Sequence, residues 1–414
     1  MPNRTPAPIF LGSDLGVYGM ARSFHEGFGV SSVTVAGLGR GFINDSSVVR
    51  PVLLGADPTD RALVDAVLGA AAEARACGES PVLVVNSDLQ VALVQRHRAE
   101  LESAATLLVP TPEHSAAVAD KAVLAALGER VGLATPREVV VDAAAPETGL
   151  GTLGTLAALG SPFILKPAVS SEWEEVTFPG KLKVYVCQGP DDAEAIVSLA
   201  SAAGFQGRLL AQELIPGDDT HGFVVTVYMG REGRPLVQAT ARMLLAIHTP
   251  NLLGNMALGM VDWYPQFAEP AMDLLAELDY RGFATLDVKV HAATGVPYLL
   301  DVNPRPGRSN YFVNIGGTNP MAAALRDAWG EEVEPRRTVR RGIYRIVPFG
   351  LARRYVRDGE LLAAARAAAR ENMVHPLDYA PDRNLRRTFF RHAASANHIK
   401  NLARVYPAPT DTSF

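Results

Sequence analysis

Residues 283–309 read FATLDVKVHAATGVPYLLDVNPRPGRS. Two runs that alternate apolar and polar residues, 283–290 and 297–303, flank Ala293-Thr294-Gly295. A short loop ending in glycine between two such runs predicts a β-hairpin. With a three-residue loop Ala292 pairs with Val296, and counting back along both strands sets Asp287 opposite Asp301. Asn303 then lies two residues further along the same face, and Lys289 flanks Asp287. Two carboxylates opposed at ~5 Å repel each other. A divalent cation between them removes the repulsion. Mg²⁺ suits the set Asp287, Asp301 and Asn303, because it takes a few carboxylate oxygens and fills its shell with water and phosphate. A solvent-facing hairpin with its acids paired to arginines fits the same residues. The run Asn303-Pro304-Arg305-Pro306-Gly307-Arg308 favours the metal, since it sets two guanidinium groups where a phosphate or carboxylate can be clamped.

Outward from the hairpin, residues 222–303 are mostly β, with strands expected at 222–229 and 235–242 and a helix over 266–280. Further upstream come strands at 162–167, 183–187 and 208–214 and a helix over 191–203. Residues 8–100 alternate strand and helix signals, from Ile9-Phe10-Leu11 through Ser32-Val33-Thr34-Val35 to the apolar run 81–86, a rhythm that predicts a parallel sheet with flanking helices. A turn at Val109-Pro110-Thr111-Pro112 closes that unit, and one helix is expected from Glu113 to Val131. After Gly330 the chain is arginine-rich and then helical. Residues 149–154, GLGTLG, match G-x-G-x-x-G but lack the preceding strand and the long following helix of a dinucleotide fingerprint, so they read as a loop and helix cap.

The chain has 414 residues, about half of them hydrophobic, which is ample for several cores. A net charge of −5 argues against nucleic acid as a partner. No apolar run reaches the ~18–20 residues of a membrane helix, and the first residues lack the apolar core of a signal peptide, so a cytoplasmic protein is expected. Two cysteines make no disulfide framework. Of 39 basic residues only six are lysine, and four of these, Lys121, Lys166, Lys181 and Lys183, fall in short stretches around one candidate site. A compact ammonium is a phosphate ligand. There is no Walker A sequence.

At these residues the chain resembles the ATP-grasp enzymes. Their closing signature, an acid and then N-P-R, is matched by Asp301-Val302-Asn303-Pro304-Arg305; the usual glutamate is an aspartate here, one methylene shorter. Asp120-Lys121 and Phe163-Ile164-Leu165-Lys166-Pro167 resemble the two phosphate-binding lysine segments. Gln212-Glu213-Leu214-Ile215-Pro216-Gly217-Asp218-Asp219 resembles the adenine hinge followed by a ribose-binding acid. Nearer still is the carboligase branch that includes bacterial D-aspartate ligases, through Gly12, Asp14, Tyr18 and residues 21–26 (ARSFHE), 178–184 (FPGKLKV) and 303–311 (NPRPGRSNY).

The resemblance implies an α/β and α+β ATP-grasp architecture: an N-terminal βαβ domain (1–110), two α+β lobes holding ATP between them (111–210 and 211–330), and a helical C-terminal extension (331–414). It implies ATP and Mg²⁺ as cofactors, with Mn²⁺ as a substitute. Lys121, Lys166, Gln212, Glu213, Leu214, Ile215 and Asp219 would bind the nucleotide, and Asp287, Asp301 and Asn303 the metal. Lys181 and Lys183 would close over the γ-phosphate within a lid around 173–183. Arg305, with Arg242 and Arg308 behind it, would hold the carboxylate and the oxyanion. The activity implied is a carboxylate–amine ligase acting through an acyl-phosphate on small-molecule substrates, with a D-amino acid and a cell-wall precursor as the finer expectation. A kinase built on the same ATP site, or a non-catalytic ATP-binding protein, are the alternatives.

Overall fold

The computed structural model describes residues 4–144 and 153–414; the G-x-G-x-x-G match at 149–154 therefore falls largely outside the described residues. The first layer is a parallel sheet of β1 (Pro6–Leu11), β2 (Ser32–Ala36), β3 (Val49–Leu53), β4 (Ser80–Val84) and β5 (Thr106–Leu107), in the order β3-β2-β1-β4-β5. Helix α1 (Leu15–Phe28) starts at Asp14, whose side chain caps the Val17 amide, and α2 (Asp60–Ala76) starts at Thr59. The strand order reverses between β1 and β4. Loops after those two strands consequently diverge and leave a crevice at their C-terminal ends, where this fold class binds ligands. Asp14 and Asn86 occupy those loops, and Asp88 opens the helix (Asp88–Arg96) that follows the second.

Residues 112–131 form two helices where one was expected. The first, Pro112–Ala117, stops, and Asp120 caps a new start by accepting from the amides of Ala122 and Val123. That second helix, α3 (Lys121–Val131), opens with Lys121. A cap needs an extended backbone at Asp120, which breaks the helical run the apolar periodicity suggested.

A second, four-stranded antiparallel sheet has the order β6-β9-β7-β8, from β6 (Glu138–Asp142), β7 (Phe163–Pro167), β8 (Tyr185–Cys187) and β9 (Arg208–Glu213), with α4 (Pro190–Ala202) on one side. Trp173 is buried there, edge-on to Phe178, Tyr185 and Phe205.

The third sheet is built on β10 (Gly222–Met229), β11 (Pro235–Ala246), β12 (Met256–Val261), β13 (Gly282–Val290) and β14 (Pro297–Asn303). After Gly330 the chain also contributes short strands: β15 (Arg336–Arg337) and β16 (Gly342–Arg345), where the arginine cluster 336–341 reads as a strand entry, and β17 (Met373–Val374), which the sequence reading missed. The order is β14-β13-β10-β11-β12-β16-β17, with β15 beside β11. One face packs Phe223, Val225, Leu286, Val288, Leu299 and Val302 against α3 and α5 (Pro265–Glu277). The other packs against α1, α6 (Pro320–Ala328) and α7 (Gly359–Glu371). Helix α8 (Leu385–Val405) follows; Arg387 on it pairs with Asp382, which also accepts from Tyr18, Ser46 and Ser47 and so ties this region to the first layer. Among the described residues no helix is long and apolar enough to cross a membrane.

Candidate active site

The site rests on the β13–β14 hairpin. Its turn holds four residues rather than three: the His291 amide donates to Val296 O, the Gly295 amide to His291 O, and Gly295 adopts φ +72°. Val288 therefore pairs with Leu299 and Lys289 with Tyr298. A bulge at Leu300 then restores the lost residue, and Asp287 pairs with Asp301 after all. The bulge explains why Leu299 and Val302, three residues apart, share the face packed on α3 and α5. Strand β10 continues the cleft face as three rungs: Gly222, Lys289 and Tyr298; Val224, Asp287 and Asp301; Thr226, Thr285 and Asn303.

Two like charges on the middle rung interact unfavourably by roughly 3 kcal/mol at ~5 Å and an effective dielectric near 20. The protein resolves this unevenly. Burial, and then Asp301, raise the Asp287 pKa to about 6. Burial acts on Asp301 in the same direction, but Lys166, Lys121 and Lys183 outweigh it and hold Asp301 down at about 2. Lys121 Nζ lies 2.9 Å from Asp301 Oδ1, from the first turn of α3. The linker after α3 is hydrogen-bonded to the β14 edge, Ala134 N to Pro297 O and Leu299 N to Ala134 O, and this fixes the reach of Lys121. Asn303 donates to Asp287 Oδ2 at 3.3 Å and accepts from Arg305 at 3.1 Å. Among the described residues, no group of three or more His, Cys, Asp or Glu side chains is placed to hold a metal ion. Two carboxylates and an amide match Mg²⁺ that draws the remainder of its shell from phosphate and water.

The floor lies in a cavity of about 390 Å³, roofed by the second sheet. Lys121, Lys166, Lys183, Gln212, Glu213, Leu214, Ile215, Asp219, Asp287, Asp301, Asn303, Arg305 and Arg308 all line it. At its apolar end are Ile164, Val184, Leu210, Leu214, Ile215, Met243 and Met256. The Glu213 side chain is not available there: Arg137 Nε lies 2.9 Å away and holds its pKa below the usual range, which leaves the backbone of 213–215 for a base. The Gln212 side chain donates across to Glu138. Asp219 is buried, with Oδ2 accepting from the Ala246 amide at 2.8 Å and from His248 at 2.9 Å; its Oδ1 has no partner among the described residues.

Two expected residues are placed elsewhere. Lys181 Nζ donates to Val176 O at 2.5 Å and sits over the Trp173 ring, so it fastens the 173–183 loop to itself while Lys183 faces the cleft. Arg242 pairs with Phe223, which pairs with Val288, so it shares the face turned away from Asp287. There it donates to Thr220 O at 2.7 Å and lies over Phe223.

At the opposite end of the floor, Arg305 Nε and Nη2 form a two-pronged pair with Asp88 at 2.8 and 2.9 Å. Burial alone would lower the Arg305 pKa, but Asp88 raises it above the ordinary value. Arg308 Nε lies 3.5 Å from Asp14, and its buried Nη1 has no partner among the described residues. Asp14 also accepts from Asn86 at 3.0 Å. Asp88 was missed in the sequence; the available signal was its position just after a buried strand, next to the helix cap Ser87.

A D-aspartate ligase of Enterococcus faecium (strain Aus0004) is 26% identical to the chain over 416 residues, 96% of both proteins. With the nucleotide-sized cleft and its acid and lysine lining, this match makes the chain similar along its whole length to the ATP-grasp carboxylate–amine ligases. A D-alanine–D-alanine ligase of Albidiferax ferrireducens is 28% identical over 213 residues, 49% of the chain and 55% of that protein. An ADP complex of N5-carboxyaminoimidazole ribonucleotide synthetase superposes with a TM-score of 0.55 at 17% identity, covering 82% of this chain and 80% of that one, and shares the ATP-grasp fold. No protein-family model matches. The protein is an ATP-dependent ligase.

Proposed function

We propose that this ligase activates the carboxylate of a D-amino acid such as D-aspartate and joins it to the amine of a peptidoglycan precursor in the cytoplasm. The observation that carries the proposal is the arrangement of the floor: a pair of acids between lysines on one side and arginines on the other. Lys121, Lys166 and Lys183 neutralise the triphosphate, the 213–215 backbone meets the base, and Asp219 Oδ1 accepts from a ribose hydroxyl. Asp287, Asp301 and Asn303 hold Mg²⁺, with Mn²⁺ as a substitute; the ion supplies charge neutralisation for phosphoryl transfer. Arg305 and Arg308 hold the substrate carboxylate in line with the γ-phosphate. A carboxylate oxygen attacks phosphorus, the bond to ADP breaks, and an acyl-phosphate forms. The amine then adds to the acyl carbon, the tetrahedral oxyanion faces Arg305, and phosphate leaves as the amide forms. Asp14 and Asp88 carry the negative charge that suits an ammonium group beside the arginines. The D-aspartate assignment is supported by similarity that covers 96% of both chains, whereas the D-alanine–D-alanine ligase match covers 49% of this one.

ADP release measured with Mg²⁺ and ATP, over amino acids of both hands singly and paired with cell-wall precursors, tests this. Release requiring a D-amino acid and an amine, and lost in Lys166→Ala, is the expected result. Release with an L-amino acid alone as donor overturns the D-assignment, and release with a hydroxyl compound alone turns the enzyme into a kinase.

A further inference from the structure

Residues 407–414 follow α8, and their last two residues, Ser413 and Phe414, reach the cleft. Tyr406, just before them, stacks on His248 at 3.5 Å and 7°, and His248 in turn holds Asp219 Oδ2. Arg354 donates to Pro407 O at 2.5 Å, Arg357 pairs with Asp411 at 2.5 Å, and the Thr410 amide donates to the Tyr406 hydroxyl at 3.0 Å. The hinge glycine engages the segment from both sides: Gly217 N donates to Asp411 O at 2.7 Å, and Ser413 Oγ donates to Gly217 O at 3.2 Å. Ser413 is held at φ +68°, a conformation unfavourable for a side chain bearing Cβ, so these contacts must outweigh a local cost. Ser413 and Phe414 line the same cavity as the lysines and acids.

Lys289 links this segment to the floor. It stands on the first rung, one rung from Asp287, is only 8% exposed, and donates to Thr412 O at 3.1 Å. An ammonium has three donors, and Thr412 takes one. Asp219 lines the same cavity; it is 6% exposed, and its Oδ1 is an acceptor with no partner among the described residues. A buried acceptor and a buried, under-used donor facing one cavity are complementary to hydroxyl groups, each of which both gives and takes a proton.

Resting on the ATP reading above, we propose that Lys289, oriented by Thr412 in the 407–414 segment, reads the ribose hydroxyls of the nucleotide together with Asp219, and that the segment is a wall of the nucleotide site. The segment and the nucleotide then seat each other, since both depend on the ammonium of Lys289.

The test compares binding of ATP, 2′-deoxy-ATP and 3′-deoxy-ATP to the unaltered protein, to Lys289→Met, to Lys289→Arg and to a variant lacking residues 407–414, with melting temperature as the control. A hydrogen bond to a charged donor is worth about tenfold in discrimination. The unaltered protein should bind at least one deoxynucleotide about tenfold more weakly than ATP. That gap should close in Lys289→Met and in the shortened variant and partly return in Lys289→Arg. Nucleotide should also slow hydrogen exchange in 407–414 of the unaltered protein, a readout that does not depend on a variant folding. A gap unchanged in both variants overturns the proposal, as does an equal loss for all three nucleotides or tighter ATP binding once the segment is gone. If the unaltered protein binds no ATP, the ATP reading itself fails and takes this inference with it.

Discussion

The two ends of the floor are built in different ways. The acid end is a single hairpin: Asp287 and Asp301 are 14 residues apart in the chain, and strand register alone brings them face to face. The arginine end is assembled from distant parts, with Arg305 against Asp88 across 217 residues of chain and Arg308 near Asp14. Register is a local property, whereas the arginine end exists only if the crevice of the first sheet docks on the third. Substitutions at the acid end should therefore act on chemistry in an otherwise intact protein, and those at the arginine end should act through orientation.

The largest expected effect is on the acid end. Asp301→Asn and Lys183→Met should each lower kcat by roughly 10²–10³-fold with little change in fold, as measured by ADP release and circular dichroism. Lys181→Met, two residues from Lys183, should stay within about threefold, as should Arg242→Met, because neither side chain faces the cleft; a loss comparable to that of Lys183→Met would break the comparison.

Next comes the arginine end. Asp88 engages the Nε–Nη2 edge of Arg305 and leaves the Nη1 edge for a substrate. Asp88→Ala should raise KM for the carboxylate about tenfold and leave KM for ATP unchanged. A fall in KM for the carboxylate would instead mean that Asp88 competes with the substrate.

The smallest effect, and the sharpest in sign, is on stability without Mg²⁺. The folded-state pKa of Asp287 is raised to about 6, so its favourable contribution is complete below the unfolded value near 4 and is lost as pH rises through 6. Asp301 is depressed to about 2, so its contribution is present above about 4 and is lost only as pH falls through 2. Asp287→Asn should raise Tm at pH 7.5 by about 2 °C and remove the decline between pH 4 and 6. Asp301→Asn should lower Tm under the same conditions. Added Mg²⁺ should reverse the ranking of Asp287→Asn and the unaltered protein.

Much of the acid end was legible in the chain, because alternation of side chains along a strand and the conformational demand at Gly295 are properties of neighbouring residues. Even there the pairing of Asp287 with Asp301 came from a three-residue loop that the protein does not have. The four-residue turn shifts the register by one, and the Leu300 bulge shifts it back. Bulges are decided by what packs beneath the strand, here Leu299 and Val302 against α3 and α5, and periodicity in a short run does not reveal them. The break at Asp120 is similar: the capping residue was visible, but the apolar spacing of 113–131 also fits one continuous helix.

By itself the sequence determined the parallel first layer, the β-rich third one, the acid pair and the order of the lysine and arginine segments, since each depends on residues close together in the chain. Tertiary structure decided which cations reach the cleft. It separated Lys183 from Lys181 and turned Arg242 to the far face. It also set Asp88 in the fork of Arg305 and brought residues 407–414 to Lys289. The physical reason is that a charge acts through distance and burial, and both are set by how faces pack.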